Sequence, residues 1–277
     1  MLKKLKYVGA VALVSFGLGQ GALAAALKVG VTAGPHAQIM AHLKERAASQ
    51  GLTLDVIEFD DFVLPNTALF EKELDVNSYQ HEPYLTEQNQ ARGMDLVSVG
   101  KTIILPLGLY SKTLKKIEDV PYGAKIAIPS DVSNGGRALR LLEKAGVLTL
   151  KKDAPMSPSV LDIAQNPKHV KLVEVDAPHV PRALDDVDLA AINTDWVLVS
   201  GIDPKSALAR EGEDSLYANL LVVRKGDEKR PEIVKLVSLY HAPETAAFLE
   251  KTFHGAVIPA WQTVKATEKA PCGPSGS

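Results

Sequence analysis

Cysteine is almost absent from this chain. Cys272 is the only one in 277 residues, which excludes an internal disulfide and any cysteine-rich metal site. Charge of one sign is also lacking. The 31 Lys and Arg stand against 33 Asp and Glu, so there is no electrostatic footprint for nucleic acid. Long apolar runs are missing beyond the first 24 residues, which excludes a later membrane-spanning helix. The common catalytic signatures are missing too. There is no G-x-S-x-G, no H-E-x-x-H and no G-x-x-x-x-G-K, and the glycines after the first strand do not form G-x-G-x-x-G. A dinucleotide fold therefore lacks support. What remains is a chain that is 46% hydrophobic, rich enough in apolar residues to fill one large core or two ordinary ones.

The N-terminus carries the first positive signal. Lys3, Lys4 and Lys6 precede an apolar run, and Ala22-Leu23-Ala24 offers small residues for cleavage, with Ala24-Ala25-Ala26 as a second candidate. This is the pattern of a cleavable secretory signal peptide over residues 1–24. Its removal leaves a mature chain of net charge −5. No cysteine lies near the cleavage site, so no lipid is expected there. The expected location is the periplasm, free of the membrane. Residues 263–277, which hold Cys272, read as a flexible polar tail.

Between these ends, strand-like and helix-like segments alternate. Residues 27–32, 54–59, 74–79, 96–99 and 102–110 read as strands, with helices over 35–51 and 83–92. A second set follows: strands at 125–129, 171–175, 189–193 and 218–224, and helices at 134–145, 180–184, 231–240 and 243–252. Strands separated by helices predict an α/β chain with mostly parallel sheets. Two such sets suggest two lobes, and such folds bind ligands at the carboxyl ends of their strands.

Candidate site residues follow from that placement. Five aromatics crowd residues 59–84: Phe59, Phe62, Phe70, Tyr79 and Tyr84. Phe59 and Phe70 are assigned to the core. Tyr79, His81 and Tyr84 sit at a strand end and a helix start, where they either wall a pocket and offer hydroxyls or pack under a loop. Ser133-Asn134-Gly135-Gly136-Arg137 opens a helix. Either this is a plain turn with a solvated arginine, or its glycines would let backbone approach a ligand, its free amides would favour an anion, and Arg137 would grip a carboxylate through two parallel hydrogen bonds. Asn193 ends an apolar strand and Asn219 begins one, each able to donate and accept. Asp195 reads first as a helix cap and second as an ammonium partner. His36 and His81, with Glu82 and Asp195, are the only residues that suggest a metal receptor.

Eight ordered stretches carry a resemblance. They are VGVTAGPHAQIM (29–40), FVLPNTAL (62–69), LDVNSYQHEPYL (74–85), GLYSK (108–112), AIPSDVSNGGRALRLLEK (127–144), VLDIAQNPK (160–168), PRALDDVDLAAIN (181–193) and YANLLVVR (217–224). Together they resemble the methionine-binding lipoproteins of the MetQ/NlpA type, the substrate-binding components of ABC importers. The resemblance implies a two-lobed periplasmic-binding-protein fold of type II-like architecture. Residues 25–108 and 221–262 would form lobe 1 and residues 109–220 lobe 2, joined by a hinge with the ligand in the cleft. It implies a monomer that binds methionine, L and possibly D, without turnover, cofactor or metal, and delivers it to a permease and ATPase complex. It also implies that Phe62, Tyr79, His81 and Tyr84 enclose the side chain, that Arg137 takes the carboxylate, and that Asn193 and Asn219 fix the polar end. Three departures stand out: the missing lipid-bearing cysteine, Phe62 where some members have tyrosine, and Ile103-Ile104-Leu105-Pro106 in place of a more aromatic stretch. The alternatives are another apolar amino acid, a short methionine-containing peptide, a metal receptor, or an exported enzyme acting on amino acids.

Overall fold

The computed structural model describes residues 25–212 and 215–261. The expected signal peptide at 1–24 and the tail at 263–277 lie outside the described residues.

The first segment of chain runs β1 (Leu27–Thr32), α1 (Pro35–Ser49), β2 (Leu54–Phe59), α2 (Leu64–Phe70), β3 (Val76–His81), α3 (Glu82–Arg92) and β4 (Leu96–Ile104). The middle segment runs β5 (Gly108–Tyr110), β6 (Lys125–Pro129), α4 (Val132–Lys144), β7 (Thr149–Leu150), β8 (Ile163–Gln165), β9 (Lys171–Val175), α5 (Val180–Ala183), β10 (Leu189–Ile192), α6 (Thr194–Val199) and β11 (Ala209–Arg210). The last segment holds β12 (Ala218–Arg224), α7 (Pro231–Tyr240), α8 (Pro243–Phe253) and β13 (Ile258–Pro259).

Two main sheets result. One has six strands in the order β13-β4-β12-β3-β1-β2, and the other has five in the order β11-β5-β10-β6-β9. Both are mixed rather than mostly parallel. β1 pairs in parallel with β2 and β3, but β12 runs antiparallel to both β3 and β4. In the second sheet β6 pairs in parallel with β9 and β10, while β5 is antiparallel to β10 and β11. The antiparallel strands β5 and β12 are the first strands laid down after each passage between the sheets.

Each sheet has its own core. Leu27, Val29, Val31, Ile39, Leu43, Leu236 and Tyr240 pack together around the six-stranded sheet. Leu109, Ile126, Ile128, Leu139, Leu142 and Leu189 pack around the five-stranded one. The first passage is three residues long, and it moves from the first core at Leu105 to the second at Leu107. The second lies between Arg210 and Ala218.

Local chemistry explains the elements nearest the site. Gly34 takes φ +87° before Pro35 starts α1, a backbone turn that a side chain would strain. β4 runs unbroken through Gly100, where the sequence suggested a gap. A side chain there would meet His241 and Val237 at 3.4 Å, an ordinary packing distance, so nothing at this position interrupts the strand. Phe70, assigned to the core from its neighbours, is 42% exposed at the end of α2.

A buried amide triangle ties α2 to β3. Gln80 Nε2 donates to Asn66 Oδ1 at 2.6 Å and to Asn77 Oδ1 at 3.0 Å, while Asn66 Nδ2 returns a bond to Gln80 Oε1 at 2.8 Å. Asn77 Nδ2 closes the figure on Asn66 Oδ1 at 2.9 Å. Removing one member orphans the others in a low dielectric. Asn66→Ala is therefore expected to lower the unfolding free energy by about 3 kcal/mol in urea titration. A change below about 0.5 kcal/mol would mean the triangle is replaceable by water.

Candidate functional site

A small cavity lies between the two sheets, and all seven residues singled out from sequence line it: Phe62, Tyr79, His81, Tyr84, Arg137, Asn193 and Asn219. Gln80, Leu105, Asn134 and Asp195 line it as well. Phe62 comes from the loop before α2, Tyr79 to His81 from β3, Tyr84 from α3 and Asn219 from β12, all in or beside the six-stranded sheet. Asn134 and Arg137 come from α4, Asn193 and Asp195 from the end of β10 and the start of α6, all on the other side. Asn219 is paired with His81 across β12 and β3, and the pairing shifts register just beyond it, between Asn219 and Leu221. Such an irregularity re-aims side chains at a sheet's functional end.

One end of the cavity is aromatic. The Phe62 ring lies 6.1 Å from Tyr79, 6.2 Å from Tyr84 and 5.5 Å from Trp196 of α6. Both tyrosine hydroxyls donate to the Phe62 carbonyl, Tyr79 at 2.8 Å and Tyr84 at 2.7 Å. They anchor the Phe62 loop and do not offer free hydroxyls. Burial raises both phenols further above their ordinary range, so they remain donors.

The other end is polar and tightly knit. His81 caps α3: its Nδ1 accepts from the Tyr84 amide at 3.2 Å. That leaves the proton on Nε2, which meets Asn134 Oδ1 at 3.1 Å across the cavity. Burial, with Arg137 nearby, lowers the His81 pKa to about 3, so the imidazole is neutral. Asn134 Oδ1 also accepts from Asn193 Nδ2 at 2.9 Å. Asn134 Nδ2 donates to both oxygens of Asp131, at 3.0 and 3.1 Å.

Two sequence expectations change here. The start of α4 is not open to an anion, because Asp131 Oδ1 accepts the Asn134 amide at 2.8 Å and the Asp131 carbonyl accepts the Gly135 amide. The glycines serve packing within the chain. A side chain at Gly135 would strike the Pro129 carbonyl at 2.8 Å, and one at Gly136 the Ser157 backbone at 2.7 Å.

Arg137 differs as well. Its fork is filled by Glu211, with Nε to Oε1 at 2.9 Å and Nη2 to Oε2 at 2.5 Å. Nη2 also reaches the Leu105 carbonyl at 2.8 Å, and the Tyr217 ring lies 4.3 Å from the guanidinium carbon. Nη1 alone of the three nitrogens has no such partner among the described residues, so it is the one left for a ligand. Glu211 further accepts the Leu107 amide at 2.9 Å, and its own amide donates back to the Leu107 carbonyl. The arginine is thereby bolted to both passages between the sheets.

Asp195 lies inside the first turn of α6, whose cap position is Asn193, so the expected helix cap is not made. His36 sits beside Asp195, far along the chain from the His81–Asn134 contact. Among the described residues, no group of three or more His, Cys, Asp or Glu side chains is placed to hold a metal ion. Asn134 has a marker in sequence, the S-N-G-G-R run. Glu211 has none, since it stands in a polar stretch with no pattern.

Comparisons with known proteins agree with this geometry. The NlpA lipoprotein profile matches residues 27–261. The D-methionine-binding lipoprotein MetQ of Salmonella typhi is 40% identical over 240 residues, covering 85% of this chain and 88% of that protein. A nutrient-binding protein from Burkholderia cenocepacia, solved bound to methionine, superposes with a TM-score of 0.82 at 45% identity, covering 84% of this chain and 99% of that one. A periplasmic substrate-binding protein of an ABC transporter from Coxiella burnetii gives a TM-score of 0.82 at 44% identity, covering 84% and 100%. The fold is the α/β architecture of periplasmic substrate-binding proteins. Among the described residues no helix is long and apolar enough to cross a membrane. Profile, sequence and structure converge on one assignment: the chain belongs to the NlpA lipoprotein family.

Proposed function

We propose that this protein captures methionine between two lobes and presents it to an ABC importer. The carrying observation is the division of the cavity into an aromatic end and an end with a spare guanidinium nitrogen and buried amides. A thioether side chain suits the first, where sulfur–aromatic contacts contribute about 0.3–1.5 kcal/mol each. A charged α-carboxylate suits Arg137 Nη1. His81 faces an amide rather than a nucleophile, which supports capture without turnover.

The lobes would be built on the six-stranded and five-stranded sheets and hinge at the two passages. Phe62, Tyr79, His81 and Tyr84 would enclose the side chain, while Arg137, Asn193 and Asn219 hold the polar end. The protein would act as a monomer in the periplasm, released by signal-peptide cleavage and unlipidated, and dock on a permease and ATPase complex in the inner membrane.

Mass spectrometry of the exported, purified protein tests this in one experiment. Denaturation is expected to release methionine at a 1:1 ratio, and the intact mass is expected to match a chain starting at Ala25 without lipid. If the protein emerges empty, calorimetry with methionine replaces the release assay. No binding of methionine at millimolar concentration would remove it as the ligand. A mass increment of acyl chains would overturn the unlipidated form.

A further inference from the structure

Asp195 has no part in the contacts just assigned to the ligand. It lines the cavity from the first turn of α6 and is 4% exposed. Oδ1 receives no hydrogen bond. The nearest ionisable group is His36 Nε2 at 3.5 Å, which reaches over from α1. That imidazole has no hydrogen-bond partner on either nitrogen, and burial lowers its pKa to about 3, so it supplies no positive charge. Arg137 acts on Asp195 through space, but its fork is committed to Glu211. Two residues earlier, Asn193 Oδ1 is also buried and without a donor. Adjacent unsatisfied acceptors are costly in a dry site unless a ligand brings the missing donors. The cavity is therefore dipolar, with a spare cationic nitrogen at Arg137 and two spare acceptors at 193 and 195.

We propose that Asp195, with Asn193 Oδ1, receives the α-ammonium group of the ligand and so makes a free ammonium a condition of capture. This rests on the amino-acid reading of the cavity and adds the residue that would discriminate a zwitterion from a simple carboxylic acid.

Calorimetry on the full protein with three probes tests it: methionine, N-acetylmethionine and 4-(methylthio)butanoate, which lacks the amino group. Wild type is expected to bind methionine at least about 100-fold more tightly than either analogue, because the analogues leave buried acceptors unpaired. Asp195→Asn keeps the shape and is expected to weaken methionine by about 30-fold or more while leaving 4-(methylthio)butanoate unchanged or tighter. His36→Asn, which breaks only the contact between α1 and α6, is expected to leave the ratio of the two ligands intact. A second readout separates charge recognition from structure. Burial holds the Asp195 carboxyl up at about 7, and an arriving ammonium would lower it, so methionine binding near pH 7 should release a fraction of a proton in wild type and none in Asp195→Asn.

Equal weakening of both ligands by Asp195→Asn would make the residue structural and overturn the proposal. So would unchanged methionine binding, or a wild type that takes 4-(methylthio)butanoate as tightly as methionine, an outcome that holds even if the variant does not fold. A wild type that binds the analogues but not methionine overturns this inference and the methionine reading together, whereas a loss confined to the variant's methionine-to-analogue ratio supports both.

Discussion

Arg137→Ala is expected to remove capture and to destabilise the fold, and the two losses have different origins. The binding loss comes from Nη1, the one guanidinium nitrogen without a partner among the described residues. Truncating one member of a buried charged contact costs about 2–5 kcal/mol, or roughly 30- to 5,000-fold in affinity. The stability loss comes from Glu211. Its carboxylate is bound by Nε and Nη2 at 2.9 and 2.5 Å, and its side chain is only 13% exposed. Left alone it becomes an unpaired buried charge, a cost of about 3–5 kcal/mol. A second substitution separates them. Arg137→Ala with Glu211→Gln removes the orphaned charge, so chemical denaturation should recover most of the stability. Calorimetry should still show the full loss of methionine affinity. Near-wild-type affinity in the double variant would take Arg137 out of the ligand site.

Acidification should open the cleft. His81 is neutral in the closed cavity with a pKa lowered to about 3 by burial and by Arg137, against about 6.5 when hydrated. The depressed value fixes the sign. Between pH 6.5 and 3 the open, hydrated form binds the proton that the closed form refuses, so closure is fully favoured above pH 6.5 and weakens as pH falls. At pH 5 this amounts to about 2 kcal/mol, or about 30-fold in methionine affinity, from His81 alone. The groups facing the ring are Asn134, Tyr84, Tyr217 and Arg137, and of these Arg137 carries charge. His81→Asn should flatten that part of the profile. A wild-type affinity that stays constant from pH 7.5 to 5 would place His81 outside the closing surface.

Much of this was legible from residue types in order. β1, β6, β9 and β12 are runs rich in β-branched or small apolar residues bounded by Gly, Pro or charge, and their limits are the ones read from sequence. α2 and α6 were not legible, because seven and six residues are too few to show a helical period. Six of the seven candidate residues meet in one cavity because each sits near a strand end or helix start, a position that sequence marks, whereas Phe62, in the loop before α2, was marked only by the family resemblance. Glu211 was invisible for the opposite reason. Its importance arises only when Arg137, 74 residues earlier in the chain, is folded against it. The purpose of Gly135 and Gly136 was misread because sequence shows that a side chain is missing, and not which neighbour takes up the space. Local spacing likewise suggested Asp195 as a cap, while the chain placed Asn193 there.

The packing of Gly135 and Gly136 against Pro129 and Ser157 bears on redesign of the scaffold as a biosensor. Backbone amides at a helix N-terminus are a ready-made site for phosphorylated or dicarboxylate metabolites. In this protein those amides already serve Asp131, and the helix cannot retreat to expose them without reopening its seat on the 157–158 backbone. Retargeting toward such analytes would have to proceed through the aromatic wall and the Arg137–Glu211 couple, leaving α4 where it is.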